Sequence, residues 1–379
     1  MAVFSELPTD RPLSLTAFLI GYSVLWGQRE MAGSPAAIGN VAQNKALTEM
    51  AMGYSRSRVV CAAARLGVAD ALGDDERSVD QLAVLCGAQP ASLYRLLRAL
   101  ASFGVVAERA PGRFVLTPFG KPLRKDAPNS EWAAIVFWAD LLADSWSYLT
   151  ECIRTGDNAM RVMEREGVAS RWSKDPNAAA IFRAVMGTAP AEDYMPIARA
   201  WDFSNYHTVA DLGGGGGALM AAALEAFPNL QGMLVDRQES IDQARSRFES
   251  EGLAARCKLL TADLCNSVPA GADVYAMKHV LHGYGDEPAI GILRNCRRVM
   301  PKRGRALVIE FVLPDVVDHA DLELELRLMS DLNMLAVTGG KERSAAEWQK
   351  LLSGADFECQ GIIPVPGELV SIIEAAPRV

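Results

Sequence analysis

Thr208-Val209-Ala210-Asp211-Leu212-Gly213-Gly214-Gly215-Gly216-Gly217-Ala218 is the stretch on which the fold turns. Five residues of buried-strand character run into five glycines, and Ala218 to Phe227 then reads as a helix. A strand that enters a helix through a glycine turn opens a βαβ unit, because the turn lets a ligand come close to the backbone. Further strand-like runs follow at Gln231–Val235 (ending at Asp236), Lys258–Thr261, Asp273–Met277 and Ala306–Ile309, with helical stretches between them. Such alternation predicts an α/β domain with a parallel sheet covered by helices on both faces. Its ligand belongs outside the carboxyl ends of the strands.

Upstream the texture changes. Residues 1–45 form an extension whose Gly33–Ala37 segment and Gly39 read as loop. Ala46 to Leu72 is spaced as a helix weakened at Gly53 and Gly67. Ser78 with Gln81 three residues on gives a capping box, Gly87–Pro90 a turn, and Ala91–Phe103 a second amphipathic helix. Val105–Ala107 and Phe114–Leu116, joined through Pro111-Gly112, read as a hairpin. Helix, turn, helix, hairpin is a winged-helix order, so residues 46–125 are expected to form such a module. It carries Arg95, Arg98, Arg109 and Arg113, but its second helix offers no exposed Asn or Gln to read base edges. A scaffold for dimer contacts therefore fits better than a DNA reader. Residues 126–200 are expected to be a helical linker rich in Trp, Phe and Met, partly lining a pocket, and 201–379 the α/β domain.

Bulk properties agree. The chain has 379 residues, 22% of them charged, and a formal net charge of −8, which disfavours a surface devoted to nucleic acid. Seven scattered cysteines without a Cys-x-x-Cys pair point to free thiols in a reducing cytoplasm and to no metal site. Leu15–Trp26 is apolar but shorter than the ~20 residues a span requires, and no basic segment precedes it. No membrane association is expected.

The glycine run alone leaves two cofactors open. Gly213-x-Gly215-x-x-Ala218 with an acid at Asp236 satisfies a dinucleotide fingerprint, so a nicotinamide oxidoreductase is a competitor. Asp211, two residues before the first glycine, favours a cofactor carrying an ammonium and a sulfonium over a pyrophosphate. Asp263, at the end of the third strand, adds an acceptor for an adenine amino group, while Asp236 suits ribose hydroxyls. Of four histidines, His279 and His282 follow the fourth strand, at the carboxyl end of the sheet. His282 is the candidate general base, and His207, His279 and His319 read as structural or exposed. Glu310, at the tip of the fifth strand, and Glu342, after Gly339-Gly340-Lys341, are the carboxylates available to orient it.

At this point a resemblance emerges. Asp211 to Gly217, Val235-Asp236, Asp263-Leu264, Lys278-x-x-x-His282, Asp286-Glu287 with Leu293–Cys296, Glu310-x-x-Leu313-Pro314 and Gly339–Arg343 are similar to motifs of the class I O-methyltransferases. That family is typified by plant caffeate O-methyltransferase and by bacterial enzymes that tailor polyketides and phenazines. The likeness runs from about Ala46 to the C-terminus. It implies a Rossmann-like domain binding S-adenosylmethionine and releasing S-adenosylhomocysteine without a metal, behind an α-helical winged-helix dimerisation domain. It implies a homodimer that methylates a hydroxyl of a small, aromatic acceptor, with His282 as base flanked by Glu310 and Glu342. By the same resemblance Gly213, Asp236, Asp263, Leu264 and Lys278 hold the cofactor, beside Asp211 and Gly215. Phe182 and Met186 lie near the acceptor, whose choice Asn333 tunes. Members commonly have an acid and a tryptophan after the histidine; here Gly283 and Tyr284 stand there. Some relatives act on nitrogen or carbon, or use the cofactor in hydroxylation or pericyclic chemistry.

Overall fold

Strands that are apolar on both faces are satisfied only between two helical layers, and the C-terminal half of the chain builds that arrangement. The structure, a computed structural model, describes residues 35–187, 190–317 and 322–378. Leu15–Trp26 and His319 lie outside the described residues. Contacts divide the chain into Met1–Arg56 and Ser57–Val379. In the first unit the described residues are helical, part of a helix that runs from Pro35 to Leu66. The loop expected at Gly39 is thus a helix. Pro35 is its first residue, a position where the missing N–H costs nothing, so the loop signal marks a helix start.

The second unit opens with the expected helix–turn–helix–hairpin order. Val79–Cys86 starts from a capping box in which Ser78 and Gln81 exchange both bonds. The helix Pro90–Ser102 follows, and β1 (Arg77–Ser78), ahead of both helices, joins β2 (Val106–Ala110) and β3 (Arg113–Leu116) in a small antiparallel sheet of order β1-β3-β2. Leu82, Leu93, Leu97, Leu100 and Phe114 bury here. Short helices between Trp132 and Arg199 follow, including a π-turn at Phe137–Leu141.

The main sheet contains β4 (Thr208–Leu212), β5 (Gln231–Asp236), β6 (Cys257–Thr261), β7 (Val274–Lys278) and β8 (Arg305–Glu310). Further along are β9 (Val312–Leu313), β10 (Arg343–Ser344), β11 (Phe357–Pro364) and β12 (Ser371–Pro377). Seven strands lie in the order β11-β12-β8-β7-β4-β5-β6, with β12 antiparallel to β8 and to β11. The sequence reading found the five parallel strands and not the terminal pair. One apolar cluster covers each face of the sheet, around Leu224, Ala244 and Phe248 on one side and Ile292, Cys296 and Trp348 on the other. Because β4 has β5 on one side and β7 on the other, the strand order reverses there. In open α/β sheets the ligand crevice belongs at such a switch point, here beside the tips of β4, β5, β7 and β8.

Candidate active site

The glycine loop leaves β4 through Gly213, whose φ of 71° favours glycine. A Cβ there would also lie 2.6 Å from Val280 Cγ2, so the turn and the segment after β7 are packed without room for a side chain. Asp211 is buried behind this loop, and its Oδ2 has no hydrogen-bond partner among the described residues. Burial, with help from Asp236 and opposed by Lys278, pushes Asp211 up to about 7. Asp236 Oδ2 accepts from Gly215 N at 2.8 Å, and its Oδ1 accepts from Arg237 N. The carboxylate expected to bind ribose thus also ties down the glycine loop.

Asp263 Oδ1 accepts from Cys265 N at 3.0 Å and its Oδ2 from Asn266 Nδ2 at 2.7 Å, so this acid shapes the turn after β6. Leu264 is buried, and its carbonyl accepts from Asn295 Nδ2 at 2.9 Å. Lys278 ends β7 with its ammonium 5.0 Å from the Tyr194 ring centroid. Burial lowers its pKa against the pull of Glu310 and Asp211. Carboxylates at three successive strand tips, one with an orphaned buried oxygen, suit a donor bearing an ammonium and a sulfonium. The side-chain-free glycine turn suits an adenosyl group lying against backbone.

The second half of the site is built on Glu310, a fully buried carboxylate at the end of β8. A buried charge is stable only when its oxygens are paired. Oε1 accepts from Val280 N at 2.9 Å, Leu281 N at 3.0 Å and His282 N at 3.3 Å; Oε2 meets His279 Nδ1 at 3.2 Å. His279 itself adopts φ 52°, and this left-handed turn swings the three N–H groups toward Glu310. His282 then faces Glu342, Nδ1 to Oε1 at 2.7 Å, whereas Glu310 Oε2 is 3.7 Å away. Glu342 is the carboxylate bonded to the imidazole and Glu310 the one bonded to the loop, a division that the sequence leaves open. With Nδ1–H donating a hydrogen bond to Glu342, the neutral His282 ring carries its lone pair on Nε2. Burial alone would lower the His282 pKa, but Glu310 and Glu342 outweigh it and hold it above the ordinary value.

Two residues to which the sequence assigned no role complete the frame. Ser330 Oγ donates to Glu342 Oε1 at 2.8 Å, fixing that carboxylate from the helix Leu322–Val337. Arg343, fully buried, donates to Asp286 Oδ1 and to the carbonyls of Leu281, Tyr284 and Lys341, clamping the two loops together. Gly340 allows that approach: a Cβ on it would sit 2.0 Å from the His282 carbonyl oxygen. Either signal was readable, since Arg343 follows Glu342 directly and Gly340 precedes it by two. The His279, His282 and Glu310 ligating atoms all lie within 4.8 Å of one another, a spacing that the imidazole–carboxylate bonding explains.

The acceptor candidates are less gathered. Asn333 is buried one helical turn beyond Ser330, with its Oδ1 unpartnered among the described residues. Phe182 joins an aromatic cluster with Phe137 and Trp172, at centroid distances of 5.9 and 5.7 Å. Met186, on the same helix, is half exposed. No described contact brings Phe182 or Met186 to His282. Tyr284 lies half-buried with its hydroxyl beside Cys265.

Comparison with known proteins separates the two cofactors. A sequence model of the O-methyltransferase domain matches residues 146–358, and one of the O-methyltransferase dimerisation domain matches 48–126. The chain belongs to the O-methyltransferase family. It is 36% identical over 339 residues to the O-demethylpuromycin-O-methyltransferase of Streptomyces alboniger, covering 89% of each chain. The solved mitomycin 7-O-methyltransferase MmcR superposes with a TM-score of 0.79 at 32% identity, over 90% of this chain and 99% of that one. The O-methyltransferase NcsB1 from neocarzinostatin biosynthesis superposes at 0.72 and 33% identity, over 85% and 95% of the two chains. That structure holds S-adenosyl-L-homocysteine and 1,4-dihydroxy-2-naphthoic acid. This family member is an S-adenosylmethionine-dependent O-methyltransferase, with a Rossmann-like domain behind a helical dimerisation domain. Among the described residues, no helix is long and apolar enough to cross a membrane.

Proposed function

We propose that the protein methylates a hydroxyl oxygen of a small aromatic acceptor, with His282 as general base oriented by Glu342. The observation that carries this is the 2.7 Å bond between His282 Nδ1 and Glu342 Oε1, which leaves Nε2 as the ring nitrogen that takes the proton. S-adenosylmethionine, when bound, supplies an electrophilic methyl on a sulfonium. Asp211, Gly213, Gly215, Asp236, Asp263, Leu264 and Lys278 are the residues proposed to hold it. His282 Nε2 would take the proton of the acceptor hydroxyl as that oxygen accepts the methyl group. The resulting imidazolium is flanked by two carboxylates, so charge develops where the protein already compensates it. Positioning in a water-poor crevice contributes alongside the base, whose share is ~10²–10⁴-fold.

Acceptor class rests on two supports. The helices from 126 to 200 supply the Phe137, Trp172 and Phe182 rings. The relatives' names denote aromatic natural products. Asn333, Phe182 and Met186 are proposed to contact the acceptor. We divide the chain into an extension (1–45), a winged-helix dimerisation domain (46–125), a helical linker (126–200) and the catalytic domain (201–379). A homodimer is supported by the dimerisation-domain match and by Leu47, Met50 and Tyr54, exposed along one stripe of their helix. All seven cysteines are free, which suits the cytoplasm. Calorimetry with S-adenosylhomocysteine and with NAD tests the cofactor half. Tight binding of the first and none of the second is expected; the reverse contradicts the reading.

A further inference from the structure

His279 lies outside the proton path just described, yet four observations converge on it. Its backbone is left-handed at φ 52°, a conformation that is unfavourable for a side-chain-bearing residue and that glycine adopts freely. Its Nδ1 sits 3.2 Å from Glu310 Oε2, the oxygen that also lies 3.7 Å from His282 Nδ1. Its ring stacks on the His282 ring, centroids 5.1 Å apart and planes inclined by 28°. Phe311 closes the other side edge-on at 5.0 Å. A purely conformational role would be filled better by glycine, so the imidazole itself needs an explanation.

We infer that His279 is a positioning residue: by occupying Oε2 of Glu310 and stacking on His282, it leaves the base to Glu342 alone. Glu310 has two suitors on that oxygen. While the His279 N–H holds it, the carboxylate stays turned toward the loop N–H groups and His282 keeps one partner, one tautomer and one ring rotation. Burial lowers the His279 pKa, opposed by the bond to Glu310 and aided by Lys278. Without it, Oε2 becomes available to His282 Nδ1, and the base is shared between two carboxylates. The other charged group facing His282, Lys278, stays in place throughout. The inference rests on His282 being the base, but its geometric part does not depend on methyl transfer.

The test uses the full-length protein with ¹³C-labelled histidine, since four histidines give few signals to assign. The His282 ring is titrated by NMR in wild type, His279→Gly and His279→Asn. Glycine relieves the backbone and deletes the donor, whereas asparagine tolerates the left-handed turn and keeps an N–H for Glu310. We expect the His282 midpoint to rise by about half a pH unit or more in the glycine variant. In the asparagine variant it should stay at the wild-type value. A glycine variant that titrates with wild type or below it overturns the inference, as does an asparagine variant that moves as far as glycine. Calorimetry with S-adenosylhomocysteine on the same samples reports the cofactor site separately. A failed methyltransferase reading would therefore leave the titration result intact.

Discussion

Glu342 Oε1 stands 2.7 Å from His282 Nδ1, while Glu310, equally buried and nearer in sequence, keeps its oxygens for the backbone of residues 280–282 and for His279. The two glutamates therefore fail differently when neutralised. Glu342→Gln removes a carboxylate from the base, so the acid limb of kcat/KM should move to lower pH and kcat should fall by roughly 10-fold or more. Glu310→Ala strips the partner from three buried N–H groups and an imidazole. It should chiefly destabilise the fold, by about 3–5 kcal/mol as for breaking a buried charge pair. Thermal unfolding and pH–rate profiles of the two variants separate these effects.

The wild-type pH profile follows from the same geometry. A base must be neutral to accept a proton, and the His282 pKa is raised. Activity should therefore fall on the acid side, with a midpoint above the ordinary histidine value of about 6.5. A limb at or below that value would contradict the bond to Glu342 with the Glu310 charge beside it.

Asp211 gives a prediction about stability. Its pKa in the folded protein is about 7 against 3.8 for the unpaired group, so folding favours its protonated form. The sign is that of a raised group: the contribution is full below the unfolded value and is lost as pH rises through 7. Asp211→Asn should raise the melting temperature of the cofactor-free protein at pH 8 and change it little at pH 4. The same variant should bind the cofactor more weakly, because a negative charge facing a cationic donor is gone.

Gly340 is the tightest point of the frame. An added methyl would meet the His282 carbonyl oxygen at 2.0 Å, the Gly283 carbonyl carbon at 2.5 Å and the Tyr284 nitrogen at 2.7 Å, all backbone atoms that cannot turn aside. Gly340→Ala should push the loop carrying Glu342 away from His282. Steady-state kinetics should then show kcat reduced by about 10²-fold, the scale of a 1 Å misplacement, while S-adenosylhomocysteine binding changes far less.

Much of this site was legible because its signals are local. Asp211, Asp236 and Asp263 end strands whose apolar runs are unmistakable, and His282 follows the fourth. What escaped was the hydrogen bonding between distant segments. Nothing near Glu310 says that it would bond residues 280–282, and nothing near Ser330 says that it would hold Glu342. His279 read as structural because a left-handed histidine leaves no mark on composition. The pair β11 and β12 carried a readable sign, Pro366-Gly367 between two strand-like runs, but joins the sheet antiparallel and so breaks the βα alternation. At Pro35 the punctuation was seen and its meaning inverted.

The base assignment is tested most directly by isotope transfer. Wild type and His282→Ala are incubated with deuteromethyl-labelled S-adenosylmethionine and a panel of hydroxylated aromatic acids, and products are followed by mass spectrometry. Wild type should yield a product in which one CD₃ replaces the hydroxyl hydrogen. His282→Ala should form it ~10²–10⁴-fold more slowly with cofactor affinity essentially unchanged. Equal rates of labelled product from the two proteins would contradict the account.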